Sequence, residues 1–372
     1  MNTPTTTRTS GSMPHCETAV EWLHVDCGNL PARAMAARFK GSGGISECHV
    51  TVQLEGGPPQ TLGVLDQAWR RALEVLSIDA SSTVFRRFFA SDVVNQEHAL
   101  REYAATVPGA VSIIGQTPLP ASKFAMWSSH VVDPDGPIDL TCDEHGCALR
   151  RGALTHHWVT EMIDSGDGDS YQQTQRILDR HKAWLSAHCM KLADHVVRTW
   201  WFVRNIDADY PGLVNARREH FAFNGLTRDT HYIASTGIAG AHPALKAKLS
   251  LDSQAIAGLR EGQVEFIQST DHLCPTQDYG VTFERATAVT YADRRHVFLS
   301  GTASIDASGD IVHEGDVVKQ LGRTMENIEA LLANAGANSG DLVSLLVYLR
   351  DSADAEIIEQ ALHERLGGVP FV

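Results

Sequence analysis

The sequence carries none of the compact signatures of a common cofactor or nucleophile. It has no GxGxxG turn, no Walker phosphate loop, no HExxH helix and no GxSxG elbow, so dinucleotide, phosphoryl-transfer, zincin and serine-hydrolase chemistry lack their usual local framework. It has no run of 18 apolar residues, which excludes a membrane-spanning helix. Positive charge is scarce: 31 Lys and Arg stand against 45 Asp and Glu, a net charge of −14. Binding to nucleic acid or an anionic membrane rests on clustered Lys and Arg, so neither is expected as a partner. An anionic small molecule needs a local arginine cluster to overcome that field. The seven cysteines are scattered and odd in number, and the Thr/Ser-rich stretch up to Ser12 has no apolar core of a signal peptide. These features predict a reduced, cytoplasmic protein with a disordered leader over residues 1–18.

What is present is an ordinary globular composition, 43% hydrophobic and 20% charged over 372 residues, enough for two or three units with a large buried core. The order of patterns recurs. LGVLDQAWRRALEVL (62–76) places Leu65, Trp69, Leu73 and Leu76 at helical spacing. The β-rich run TVFRRFFAS follows, ending at Asp92, then the helix pattern VVNQEHALREYAA and the strand VSIIG. A second pass has a helical period over 172–196, the strand VRTWWFVR ending at Asn205, the helix YPGLVNARREHFAF and the strand HYIAST. The third has VVKQLGRTMENIEALLANAG, LVSLLVYLRD ending at Asp351, the helix ADAEIIEQALHERL and Val369-Pro370-Phe371-Val372. Strands alternating with helices predict an α/β fold of three repeated units, 19–135, 136–255 and 256–372, packed as a pseudo-trimer within one chain. The third pass stops a few residues into its last strand, which therefore reads as truncated.

The stretch from Tyr279 to Asp306 reads as a hairpin. ERATAVTY and HVFLSGTASI flank the turn Ala292-Asp293-Arg294-Arg295. Its second run ends in Ser300-Gly301-Thr302-Ala303-Ser304, small residues that let backbone and hydroxyls approach a ligand. CDEHGC sets Cys142, His145 and Cys147 close together, but without a fourth ligand at recognisable spacing it reads as a surface turn with incidental thiols rather than zinc. His156-His157 reads as a strand entrance. His181, His188 and His195 lie seven apart and read as one ordinary helix face, since at ~1.5 Å rise per residue one ion cannot bridge all three. Arg198, beside Trp200, Trp201 and Phe202, and Arg285, beside Phe283, sit inside apolar strands. A guanidinium there is expensive unless paired, so each has either a structural acid or a ligand carboxylate as partner. Together with Tyr279 and Phe283 they make a carboxylate clamp with an apolar wall. Arg204 and Arg350, at strand ends, read as solvated.

FERATAV, HVFLSGTASID, QLGRTMENIEALLANAG and LLVYLRD resemble the RidA/YjgF superfamily, whose small α/β, chorismate-mutase-like units form trimers with ligand sites between subunits. RRFFASDVVNQ, IDADYPGLVNARREHF and THYIASTGIAG resemble the chorismatase family, the FkbO-type enzymes that carry such architecture in one chain. The resemblance covers residues 20–372. It implies cleavage of the enolpyruvyl ether of chorismate to pyruvate and a hydroxybenzoate or dihydroxycyclohexadiene carboxylate, for secondary metabolism, with no metal and no cofactor. It assigns substrate binding to Arg198, Tyr279, Phe283 and Arg285, with Ser300 and Thr302 on the wall. The family's general acid is a Glu on the last strand, expected beyond Val372, so the catalytic residue is unknown. Two alternatives stand beside this reading: a RidA-like imine or enamine hydrolase, and a non-catalytic module that holds an aromatic carboxylate. A pseudo-trimer satisfies the superfamily's interfaces internally, so a monomer is expected.

Overall fold

Three successive strands, β1 (Val20–Val25), β2 (Ala32–Lys40) and β3 (Ser46–Leu54), open the first unit as an antiparallel meander. The computed structural model describes residues 20–57, 60–276 and 280–372, so the leader and Tyr279 lie outside the described residues. After β3 comes α1 (Leu62–Leu76), whose first turn is closed by the Thr61 side chain accepting from the Val64 amide. The stripe Leu65, Trp69, Leu73 and Leu76 is buried on the sheet, as its spacing predicts. Burial of each large side chain contributes roughly 1.5–3 kcal/mol. Then β4 (Thr83–Ala90), α2 (Val93–Ala104) and β5 (Ala110–Gly115) form a parallel crossover, and β6 (Phe124–Val132) returns to lie between β3 and β4, antiparallel to both. The sheet order is β1-β2-β3-β6-β4-β5.

The second unit repeats this plan. Strands β7 (Asp139–Asp143), β8 (Gly146–Arg151) and β9 (Leu154–Ile163) form the meander; α3 (Ser170–Ala187) and α4 (Leu192–His195) lead to β10 (Val196–Val203). Helix α5 (Ile206–Phe223), β11 (Ala234–Ala239) and β12 (Leu249–Ala257) follow, in the order β7-β8-β9-β12-β10-β11, with β12 again central and antiparallel to both neighbours.

The third unit has β13 (Val264–Ile267), β14 (Ala286–Thr290), β15 (Arg295–Leu299), α6 (Val317–Asn334), an extended segment over 342–350, α7 (Ala355–Leu366) and the terminal residues 369–372. The hairpin turn forms where the sequence places it, with the Tyr291 amide donating to the Arg294 carbonyl at 2.8 Å. The run LVSLLVYLRD is extended but bonded on one side only: the Leu345 and Val347 amides donate to the Pro370 and Val372 carbonyls at 2.9 and 2.8 Å. The architecture is thus α/β, two six-stranded mixed sheets and a partial third unit. Among the described residues no helix is long and apolar enough to cross a membrane.

Arg204, read as solvated, is half-buried and donates to the Ala244 and Ala247 carbonyls, both at 3.0 Å, and two expectations of local structure change. The helix over 172–196 is broken: the Cys189 and Met190 amides turn back to the Ser186 and Leu185 carbonyls at 3.1 and 2.8 Å, with Cys189 at φ 58°. This is a Schellman stop, and Met190 and Leu185 share one buried cluster. His181, His188 and His195 therefore do not share a helix face; His181 is buried 2.8 Å from Ser253 Oγ, and His195 sits in α4. The second change concerns CDEHGC. The Asp143–Gly146 pair closes a tight turn that sets Cys142 directly opposite Cys147, Cα atoms 4.0 Å apart, and the two form a disulfide rather than incidental thiols. Cys27, Cys48, Cys189 and Cys274 are free.

Candidate active site

The alternation of β4 and β10 decides what enters the space between the units. On β4, Phe88 and Ala90 join the core under the helices, and Arg86 points that way too, donating to the Ala104 and Val107 carbonyls at 2.6 and 2.7 Å. A cation at the C-terminal carbonyls of α2 is well placed for the helix dipole. The next residue, Arg87, points the opposite way, into a cavity of about 1390 Å³ that reaches all three units. On β10, Trp201 and Val203 face the core while Arg198 and Trp200 line the cavity.

Arg87 is fully buried and bonds Asp252 of β12 at 2.8 Å. Its guanidinium carbon lies 4.8–5.5 Å from the rings of Trp200, Phe202, Phe85 and Trp127, an aromatic box of cation–π geometry. Its Nε and Nη1 have no hydrogen-bond partner. Arg198 lies over the same Trp200 ring, at 4.5 Å. It donates to the Thr199 carbonyl at 2.9 Å and to Thr236 Oγ1 at 2.5 Å, both neutral, and has no acidic partner among the described residues. Burial pushes its pKa down to about 9; Tyr348 acts against the fall and the Arg87 charge adds to it. Tyr348, from the extended segment, also lines the cavity, and its buried hydroxyl has no partner. Burial raises its pKa, so the phenol stays protonated and is an available donor.

Of the residues singled out from sequence, Arg198, Phe283, Ser300 and Thr302 line this one cavity. Ser300 Oγ accepts from the Ser235 amide at 2.8 Å and donates to the Glu284 carbonyl, while the Gly301 amide donates to the Ser235 carbonyl at 3.2 Å. The 300–304 loop thus seals the third unit onto β11 of the second. A Cβ at Gly301 would come within 3.3 Å of Thr236 Cγ2, so glycine permits the close approach. Arg285 is not among the cavity-lining residues: its Nη2 donates to the Cys274 carbonyl at 2.7 Å, beneath Phe283. Arg87, Trp200 and Tyr348 were not singled out as binding groups. The doubled Arg86-Arg87 in an otherwise apolar run was a usable signal, because strand alternation must send one of them to each face.

At its other end the cavity holds Glu47 of β3, 2.6 Å from Arg294 Nε and 2.6 Å from His296 Nε2 on the third unit's hairpin. Burial alone would raise the Glu47 pKa; the charge and hydrogen bond of His296, with Arg294, outweigh it and hold the carboxyl well below its ordinary value. A carboxyl depressed on folding contributes stability above its unfolded pKa of ~4.3, lost as pH falls from there through the lower folded value. Glu47→Gln is therefore expected to lower the urea midpoint at pH 7, with the gap to the parent narrowing as pH falls from about 4.5 to 3. An equal gap at both ends of that range would show that Glu47 is not the group that titrates.

A solved chorismatase superposes with a TM-score of 0.55 at 16% identity, over 78% of this chain and 87% of that one. The chain has the chorismatase fold. Residues 285–369 match the endoribonuclease L-PSP family. The chain is 37% identical over 68 residues to the 3-aminoacrylate deaminase RutC of Acinetobacter baylyi, 18% of this chain and 54% of that protein. It is 32% identical over 102 residues to a 3-hydroxybenzoate synthase of Streptomyces hygroscopicus, 23% of this chain and 30% of that one. The chain thus spans about half the length of the first of these relatives and less of the second.

Proposed function

We propose that the chain binds chorismate and cleaves its enolpyruvyl ether, releasing pyruvate and a hydroxybenzoate or dihydroxycyclohexadiene carboxylate for secondary metabolism. The observation that carries this reading is the pair of guanidiniums on one Trp200 ring: Arg198 without an acid, and Arg87 with two unpartnered nitrogens inside an aromatic box. Chorismate presents two carboxylates separated by an apolar ring. Two cationic positions set among aromatic walls complement that distribution. The likeness to chorismatase and to 3-hydroxybenzoate synthase supports it.

In this mechanism Arg198 takes one carboxylate and an unpartnered N–H of Arg87 the other. Phe283 and the Ser300 and Thr302 loop close the wall. Tyr348 donates a hydrogen bond to a substrate oxygen. A proton adds to the enol-ether methylene, leaving an oxocarbenium carbon. Water attacks that carbon and gives up a proton, and the bond between it and the ring ether oxygen then breaks, the oxygen taking a proton to leave the ring alcohol and free pyruvate. Both guanidiniums hold the substrate anionic and oriented through these steps. The proton donor is assigned to no side chain of this chain.

The match of residues 285–369 to the L-PSP family and the likeness to a deaminase favour a second reading, hydrolysis of an imine or enamine. Incubation with chorismate, with pyruvate followed by coupled reduction to lactate, separates them. The expected result is one pyruvate per chorismate consumed. Saturable calorimetric binding without pyruvate would leave a binding module, and ammonia release from 3-aminoacrylate without pyruvate from chorismate would replace the proposal with the second reading.

A further inference from the structure

Strand β7 is the outermost strand of the second sheet and pairs with β8. Asp139, Thr141, Cys142 and Asp143 on it are exposed and Leu140 is half-buried, so the strand has little apolar burial of its own to resist local opening. The Cys142–Cys147 disulfide ties it to β8 across the tight turn.

The two sulfurs differ in their surroundings. Cys142 is exposed on the edge strand, whereas Cys147 is 4% exposed. Cys147 and Leu149 of β8 pack against Ile45, Val84 and Val131 of the first unit, in a cluster that Leu140 and Trp158 extend. Leu140 lies directly opposite Leu149, and Trp158 directly opposite Cys147. Leu149 and Trp158 also line the large cavity. The crosslink therefore pins a strand that shields part of the seam between the first two units.

We propose that Cys142–Cys147 is a reversible thiol–disulfide exchange site that takes a dithiol as its reductant, and that its redox state sets how firmly β7 covers this seam. A thiolate of the reductant attacks the exposed Cys142 sulfur; the sulfur–sulfur bond breaks, and Cys147 leaves as a thiolate that takes up a proton. The register holds Cys147 directly across from the mixed disulfide, its Cα 4.0 Å from that of Cys142. Cys147 thus attacks at high effective concentration and returns a monothiol to solution. A dithiol escapes this return, because its second thiolate attacks its own sulfur in the mixed disulfide and releases Cys142, which is then protonated. Two electrons and two protons pass from the dithiol to the protein, and the dithiol becomes a disulfide. Once the bond is open, β7 is held by its pairing with β8 and by the packing of Leu140, and its local opening uncovers Leu149. This inference is independent of the reaction proposed above.

The test treats the folded full chain with excess dithiothreitol or with glutathione at equal thiol concentration, quenches with iodoacetamide, and maps labelling of Cys142 and Cys147 by mass spectrometry. The exposed free thiol of Cys189 serves as the labelling control. Deuterium uptake over residues 138–151 is read on the same samples. Dithiothreitol is expected to open the pair under native conditions and to speed exchange over 138–151 about 10-fold or more, with glutathione about tenfold less effective. Reoxidation by oxidised glutathione should restore protection. Cys142→Ser should show the fast exchange without reductant and no response to dithiothreitol; circular dichroism and Tm check that it is folded. A disulfide that dithiothreitol opens only in urea would overturn the proposal, as would equal opening by both reductants. Opened cysteines with unchanged exchange over 138–151, in the reduced parent as in Cys142→Ser, would overturn the coupling to the seam.

Discussion

Arg198→Met is expected to weaken chorismate binding about 100-fold or more in calorimetry while leaving Tm unchanged or raised. The affinity loss follows from removing a charge-assisted, two-pronged contact in a buried site, where truncating one partner costs about 2–5 kcal/mol. The stability outcome has the opposite sign for the same reason. Arg198 is buried, pays desolvation, and among the described residues hydrogen-bonds only a carbonyl and a hydroxyl beside the Trp200 ring, so no acid of the fold compensates its charge. Methionine keeps an apolar stem against Trp200 and carries no charge. Arg198→Lys should fall between, since it keeps the charge and loses the planar fork. Affinity within about threefold of the parent for Arg198→Met would remove Arg198 from the site.

Asp252→Ala is expected to cost about 3–5 kcal/mol, read as a lower urea midpoint, because it leaves the Arg87 guanidinium buried without a counter-ion. Asp252 also accepts the Glu161 amide at 2.8 Å through its other oxygen, so the truncation orphans a second donor. The contrast with Arg198 is the point: both arginines lie over Trp200, one compensated inside the fold and one not. The double variant Arg87→Met with Asp252→Leu should recover most of the loss, since replacing both partners of a buried pair with apolar groups is often neutral. A loss below about 1 kcal/mol for Asp252→Ala would mean that the pair contributes little to holding the first two units together.

Much of this architecture was legible in local pattern. The α1 stripe, the three helix-and-strand passes and the hairpin around Asp293 all rest on periodicities of a few residues, which the backbone enforces wherever the segment lies. The site was legible in part. An arginine inside VVRTWWFV had to be compensated or used, and Arg198 lines the cavity without an acidic partner among the described residues. Arg285 presented the same local signal, yet Cys274, eleven residues earlier in the chain, supplies a carbonyl that takes its guanidinium. Nothing in TFERAT distinguishes these outcomes, because the partner is set by how the segment before β14 folds back. The broken helix at Cys189 was hidden for a similar reason: a Schellman stop without glycine leaves the apolar period almost intact across it.

By itself, then, the sequence determined the α/β alternation, the threefold recurrence, and the need for compensation wherever arginine enters an apolar strand. These follow from side-chain period and from the cost of burying charge, both local properties. Only the tertiary structure decided that Arg87 and Arg198 share one tryptophan, that Asp252 answers the first and not the second, and that Cys142 meets Cys147. Each is a pairing between residues brought together by sheet register and by the packing of one unit on another, which no short stretch of chain encodes alone.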